Sequence, residues 1–233
     1  MLFLSPALSA QNRVSVDAEI KQVNKGQSMT VQKGIYLNAN GRMVVRFLHP
    51  EEYYMVTNTF GEARVYHPKT NEVMVMNDQM LSSQGELIYY FLTNQTEDLG
   101  LRSLGFSLAN TRVEGNMIIR TYTPPRHSRQ NLSKVEIVHE NHLPIYSAYY
   151  DAKGRMVERL YYSDYERLSF TAFPKRVTGI SYPTANDSII SRTLYSNIKV
   201  GKDATSPHFD FTIPANARRV DSDNLFQQQG RRR

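Results

Sequence analysis

Residues 29–76, MTVQKGIYLNANGRMVVRFLHPEEYYMVTNTFGEARVYHPKTNEVMVM, decide the fold. Five short apolar runs alternate with four turn-forming clusters: Asn38-Ala39-Asn40-Gly41, His49-Pro50-Glu51-Glu52, Asn58-Thr59-Phe60-Gly61 and Pro68-Lys69-Thr70-Asn71. Short runs rich in Val, Ile, Tyr and Phe, bounded by Gly, Pro and Asn, predict an antiparallel meander. An antiparallel sheet with one wet face alternates apolar and polar positions. The run from Met29 to Leu37 nearly does so, with Lys33 as the exception. Met43-Val45-Phe47 against Val44-Arg46-Leu48 does not, nor does Tyr53-Met55 against Tyr54-Val56. Such a sheet is either covered on both sides or offers apolar surface to something other than water.

The 233 residues suit one large β domain. A hydrophobic fraction of 40%, a charged fraction of 21% and a mean hydropathy of −0.49 describe a globular chain. No apolar run approaches the ~18 residues of a transmembrane helix. The absence of cysteine excludes a disulfide framework, a thiolate metal site, a Cys nucleophile and a lipid-modified Cys anchor. Of the formal charge of +6, five positives are Arg218, Arg219 and Arg231-Arg232-Arg233, so the rest of the chain is close to neutral. Residues 221–233 are expected to form a disordered basic tail. Residues 1–10, MLFLSPALSA, read as the remnant of a secretory signal with Ala10 at the cleavage position, which predicts a soluble protein of the periplasm.

Upstream of the meander, Arg13 to Lys25 alternate as a first strand. Downstream the period changes. Asn77-Asp78 offers an N-cap, and Met80, Leu81, Leu87, Ile88, Phe91 and Leu92 recur at helical spacing, predicting a helix of about fifteen residues. Gly85 within it costs ~1 kcal/mol relative to Ala. A second short helix is expected from Thr96-Glu97-Asp98 to Leu104, before Gly105. From Ser107 the strand signal returns in nine runs, ending with residues 188–200 and 209–214, and Asp151-Ala152-Lys153-Gly154 marks the clearest hairpin. The expected class is therefore mainly β with a few helices, an α+β chain built on antiparallel pairing. Eleven or more strands at ~4.8 Å span on the order of 50 Å, and one or two helices ~10 Å across cannot cover that width. The sheet must curl, with helices as a lid.

The stretch GIYLNANGRMVVRFLHPEEYYMVTNTFGEARVYHPKTNEVMVM, the phrase Thr59 to Pro68 and the closing Phe209-Asp210-Phe211-Thr212-Ile213-Pro214 together resemble the LolA family of periplasmic lipoprotein carriers over roughly residues 13–220. The resemblance implies an unclosed half-barrel with a helical lid. It implies acyl chains of lipoproteins as ligand, and inner-membrane release machinery and an outer-membrane acceptor as partners. Two departures stand out. Almost no residues remain for the helix that usually precedes the first strand, and the family's Arg-Pro step is replaced by Asn38-Ala39-Asn40-Gly41, with Arg42 and Arg46 nearby.

Methionine concentrates at Met43, Met55, Met74, Met76 and Met80, and unbranched, polarizable side chains adapt to partners of irregular shape. The candidate apolar lining is Met43, Val45, Phe47, Met55, Met74, Met76, Leu87 and Phe91. Tyrosine pairs such as Tyr53-Tyr54, Tyr149-Tyr150 and Tyr161-Tyr162 place one ring on each face of a strand. His139-Glu140-Asn141-His142 falls at a predicted hairpin turn, so its histidines do not share a helical face and predict no metal site. No phosphate loop, nucleophile elbow or catalytic triad is present in a supporting context. The expectation is a monomeric, non-enzymatic lipid carrier without cofactor or nucleic-acid partner. The alternative is a LolA-like envelope sensor that binds a protein.

Overall fold

The computed structural model describes residues 13–77, 86–93, 95–126, 131–168, 171–184 and 187–220. The expected signal remnant, the basic tail, and Asp78, Met80, Leu81 and Gly85 lie outside these residues. Among the described residues fourteen strands form one sheet: β1 (Val14–Asn24), β2 (Gln27–Leu37), β3 (Met43–His49), β4 (Tyr53–Thr57), β5 (Glu62–His67), β6 (Glu72–Asn77), β7 (Ser107–Glu114), β8 (Met117–Thr123), β9 (Leu132–Glu140), β10 (Leu143–Asp151), β11 (Met156–Arg167), β12 (Ala172–Thr184), β13 (Asp187–Val200) and β14 (Arg218–Arg219). Their order is β14-β6-β5-β4-β3-β2-β1-β13-β12-β11-β10-β9-β8-β7. Two meanders thus run away from the neighbours β1 and β13, and among the described residues β14 and β7 stand at the two ends of the order. The pairings within β2–β6 and within β7–β13 are antiparallel, while β14 joins β6 in parallel. The expected class, mainly β with an unclosed sheet, is the one observed.

Contacts gather in two units. One comprises residues up to 18, 31–89 and 196 onward; the other comprises 19–30 and 90–195. In the first, the predicted meander forms as β2–β6, and its turn chemistry is visible in the backbone. Gly41, with φ of 79°, closes the β2–β3 turn against Thr59, whose Cγ2 would lie 2.4 Å from any added Cβ. In the second, β7–β13 run as a continuous antiparallel meander. The β9–β10 turn is Asn141-His142, with φ of 49° and 66°, the left-handed pair that a two-residue hairpin requires.

Of the expected first helix, the described residues show α1 over Leu87–Leu92, and its earlier positions lie outside them. The second helical expectation needs correction. The expected second helix is absent: residues 96–101 are turns, followed by a 3-10 turn at Arg102–Leu104. Leu99 and Gly100 take φ of 47° and 81°, which no right-handed helix tolerates. Asp98 holds this loop instead, its carboxylate accepting from the backbone N–H of Gly100 and of Arg102, both at 3.1 Å. Of the expected strand over residues 167–173, Arg167 ends β11 and residues 172–173 begin β12, while residues 169–170 lie outside the described residues. The expected closing strand over 209–214 is also not formed. Pro207–Asp210 make a 3-10 turn and residues 211–214 run without strand pairing. Edge pairing with β6 is taken by Arg218–Arg219 further along.

Candidate functional site

The register of the first unit sorts β2–β6 into two faces. One carries the row Ile35-Val45-Met55-Val65-Met74 across all five strands and, beside it, Leu37-Met43-Thr57-Ala63-Met76. The other carries Tyr36-Val44-Val56-Arg64-Val75 and Gly34-Arg46-Tyr54-Tyr66-Val73. Both faces are rich in apolar groups, as the failed alternation of the sequence required.

The second of these faces is sealed by the chain's own C-terminal segment. Val44, Tyr54 and Tyr66 form a buried cluster against which Phe211, Ile213 and Ala217 pack. Phe211 stacks on Tyr54 with centroids 4.0 Å apart and planes 10° apart, and the fully buried Phe209 meets Tyr36 edge-on at 5.7 Å. Arg42 clamps the segment in place by donating to the carbonyl oxygens of Phe209, at 2.5 Å, and Phe211. Asn38 donates to the same Phe209 oxygen at 3.2 Å. His208 lies 4.9 Å from the Tyr36 ring and 5.9 Å from the Tyr54 ring, with Nε2 3.3 Å from the Arg46 guanidinium. Since Arg46 can only donate, the histidine accepts and is neutral. Burial, then Arg46, holds its pKa below the ordinary value, against an opposing pull from Glu52. Two open clefts flank the strap. One of about 600 Å³ is bordered by Arg13, Asn40, Arg42 and Asp210, and one of about 500 Å³ by Asn58, Glu62, Arg64 and Ile213.

The other face has a different character. Ile35, Met43, Val45 and Ala63 are completely buried, and Met55 and Met76 are half-buried. At one end of this face Phe47 stacks on Tyr53 at 4.1 Å, and burial, aided by Glu51, pushes the Tyr53 hydroxyl up to about 12. Lys33, the residue that broke the alternation, belongs here. Its ammonium lies 2.5 Å from the Glu86 carboxylate, with 11% and 17% of the two side chains exposed, and 5.8 Å from the Phe47 ring centroid. The residue that opens the turn into α1 is therefore tied to this face by a nearly dry ion pair. Neither end of α1 carries the charges that favour a helix dipole.

Six of the eight lining candidates, Met43, Val45, Phe47, Met55, Met74 and Met76, thus share one face of one meander. Leu87 opens α1 and is half-buried. Phe91 is 1% exposed and packs in the second unit, edge-on to Phe173 at 5.1 Å and 6.4 Å from Tyr165. Tyrosine pairs divide as expected where they lie in strands: Tyr162 is buried and hydrogen-bonded to Ser147 at 3.1 Å, and Tyr161 is 39% exposed. His139 is buried, bonded to the Thr96 carbonyl and near Arg120, and His142 sits in the exposed turn. Among the described residues no cluster of metal-ligating side chains occurs, and no helix is long and apolar enough to cross a membrane. The strap residues Arg42, His208 and Phe211 were missed as a unit. Pro207 and Pro214, bracketing the segment, were the available signal that it is not a sheet strand.

A LolA superfamily protein from Nitrosomonas europaea superposes with a TM-score of 0.59 at 13% identity, covering 87% of this chain and 90% of the other. A domain named for outer membrane lipoprotein sorting, from Vibrio parahaemolyticus, gives 0.60 at 14% identity over 86% and 90%. The chain has a LolA-like fold. A DUF1329 family protein from Desulfovibrio piger shares it, at 0.61 and 16% identity over 85% and 90%. No protein-family model matches the sequence, and no curated protein does. Arg42, next to the position of the missing Arg-Pro step, fastens the C-terminal strap, and the tie between sheet and helix falls to Lys33 and Glu86.

Proposed function

We propose that this protein is a non-enzymatic lipid carrier of the bacterial periplasm, sheltering lipoprotein acyl chains on the Met-rich face of β2–β6 and moving them from inner to outer membrane. The observation that carries this reading is the unequal treatment of the two apolar faces. One is closed by covalently attached chain, stacked aromatic rings and a guanidinium clamp. The other carries Ile35, Val45, Met55, Val65 and Met74 in one row of buried and half-buried side chains, with Lys33 and Glu86 fastening the approach to a short helix at its end. Acyl burial gains ~0.8 kcal/mol per methylene, so a carrier must also be able to let go. Adaptable methionines and a helix held by a breakable ion pair meet both demands.

Of the expected lining, Met43, Val45, Phe47, Met55, Met74, Met76 and Leu87 belong to the first unit and carry this reading. Cargo arrives from an inner-membrane release machinery and leaves to an outer-membrane acceptor. Native purification followed by organic extraction and mass spectrometry tests the reading, together with displacement of a fluorescent fatty acid. Recovery of acylated material and competitive displacement are expected; absence of both rejects it. A second reading, an envelope module that binds a protein partner, draws support from the two clefts beside the strap, which are open and whose linings include Arg13, Arg64 and Asn40. Its mark would be a single stoichiometric protein bound in place of lipid.

A further inference from the structure

The second unit carries a surface that the carrier reading does not use. In β10–β13 the register places Tyr146, Tyr161, Thr178 and Arg192 in one row, and Arg159, Ile180 and Ile190 in the next. This face is opposite to the one bearing the buried Ser147 and Tyr162. Along β13 it shows Ile190, Arg192 and Leu194 at alternate positions, with Ile190 47% and Leu194 38% exposed. Tyr146 and Tyr161 lie 5.1 Å apart. Arg159 sits 5.8 Å from the ring centroids of both Tyr161 and Tyr182.

Charge on this patch is one-sided. Arg176 meets Asp164 at 2.8 Å. Among the described residues Arg159 and Arg192 have no carboxylate within salt-bridge distance, and Arg159 Nε has no hydrogen-bond partner at all. Further along the same face, toward β9, cations are matched: Lys134 and Arg112 both reach Glu136. The uncompensated positive charge is thus confined to β11–β13, where the exposed Ile, Leu and Tyr also concentrate. Guanidinium for phosphate, tyrosine for the headgroup layer and aliphatic side chains for the acyl boundary are the components of a surface that rests on an anionic bilayer.

We propose that the β11–β13 face, through Arg159, Arg192, Tyr161, Ile190 and Leu194, docks the protein on the headgroups of anionic phospholipid. The inference rests on the carrier reading for its purpose, because a carrier must meet the membranes it serves, but its test is separate. Flotation of the full-length protein with phosphatidylglycerol-containing vesicles is compared with flotation on pure phosphatidylcholine. Binding is expected on the anionic vesicles alone and weakens with salt. Arg192→Glu lowers it about tenfold or more, since each basic residue near such a surface contributes on the order of a tenfold change when reversed, while Arg192→Lys retains it. The pair Ile190→Ser and Leu194→Ser weakens it further, and Lys202→Glu, an exposed charge outside the patch, leaves it unchanged. Fatty-acid probe binding is measured on the same variants and stays at the wild-type level, so a failed carrier reading and a failed docking surface give different results. The proposal is overturned if the protein ignores anionic vesicles, or floats with them equally well as Arg192→Glu. It is also overturned if the face instead retains an acidic protein whose capture Arg192→Glu abolishes.

Discussion

The two faces of β2–β6 are both apolar and both largely buried, yet they are held in different ways. On the strap side, rings meet at fixed angles and every contact is with a segment of the same chain, so nothing needs to leave. On the methionine side, the central rows are methionines and aliphatic side chains, and among the described residues Lys33 and Glu86 form an ion pair next to α1. Equal hydrophobicity therefore does not mean equal function. What separates a core from a binding surface is whether the cover is covalently bound to stay, and substitutions on the two faces should divide accordingly.

The largest effect is expected on the strap side. Phe209→Ala removes a completely buried ring, and such deletions cost about 3–5 kcal/mol. Urea unfolding should show that loss, with little change in fatty-acid affinity per folded molecule. Arg42→Ala follows, releasing the carbonyls of Phe209 and Phe211 from a charged donor. With hydrogen bonds to charged groups worth about 1.5–3 kcal/mol each and the site half-exposed, a loss of roughly 2–3 kcal/mol is expected. Arg42→Lys should recover only part, because an ammonium cannot span both oxygens as the planar fork does.

On the other face the order of readouts reverses. Met55→Gln puts an amide into the middle of the Ile35-to-Met74 row and should lower fatty-acid affinity about tenfold, equivalent to ~1.4 kcal/mol, with a stability loss smaller than that of Phe209→Ala. A large stability loss without any change in probe affinity would make this face ordinary core and erase the contrast. Glu86→Gln acts on the fastening alone. It leaves Lys33 without its counter-charge in a nearly dry site and should speed probe release several-fold, read by stopped-flow displacement, with a smaller effect on equilibrium affinity.

The meander was legible because turn chemistry and strand composition agree at every boundary from Asn38 to Asn71. So was the presence of a second apolar face, because Val44 and Tyr54 sit out of step with a single wet side. The cover of that face was not legible. Phe209 to Pro214 has strand composition, and alternation alone cannot say whether such a segment pairs at an edge or lies across a sheet; that is decided by Arg42 and Tyr54, more than 150 residues away in sequence. The loop after α1 failed for a different reason. Asp98 caps backbone amides in a left-handed turn at Leu99-Gly100, and the same Thr-Glu-Asp composition serves a helix start equally well. Lys33 was visible as an irregularity but its meaning depended on Glu86, across a stretch whose pairing the sequence does not encode locally.

The smallest effect, and the finest test of the sealed face, is its response to acid. His208 is held neutral between Tyr36 and Tyr54 by burial and by the Arg46 guanidinium, with Glu52 the one carboxylate acting in the opposite direction. Its folded pKa is therefore below the ordinary 6.5 that applies when the chain unfolds. Between those two values the unfolded state binds more protons, so the contribution is complete above about pH 6.5 and is lost as pH falls through the folded value. His139 behaves in the same sense, lowered first by burial and then by Arg120, so wild-type stability should decline below neutrality with two contributors. His208→Gln should flatten part of that decline and leave the part due to His139. In proton NMR the His208 ring should titrate below 6.5. A midpoint above 6.5 would mean that the strap holds a cation against Arg46, and that this face is less firmly closed than its stacked rings indicate.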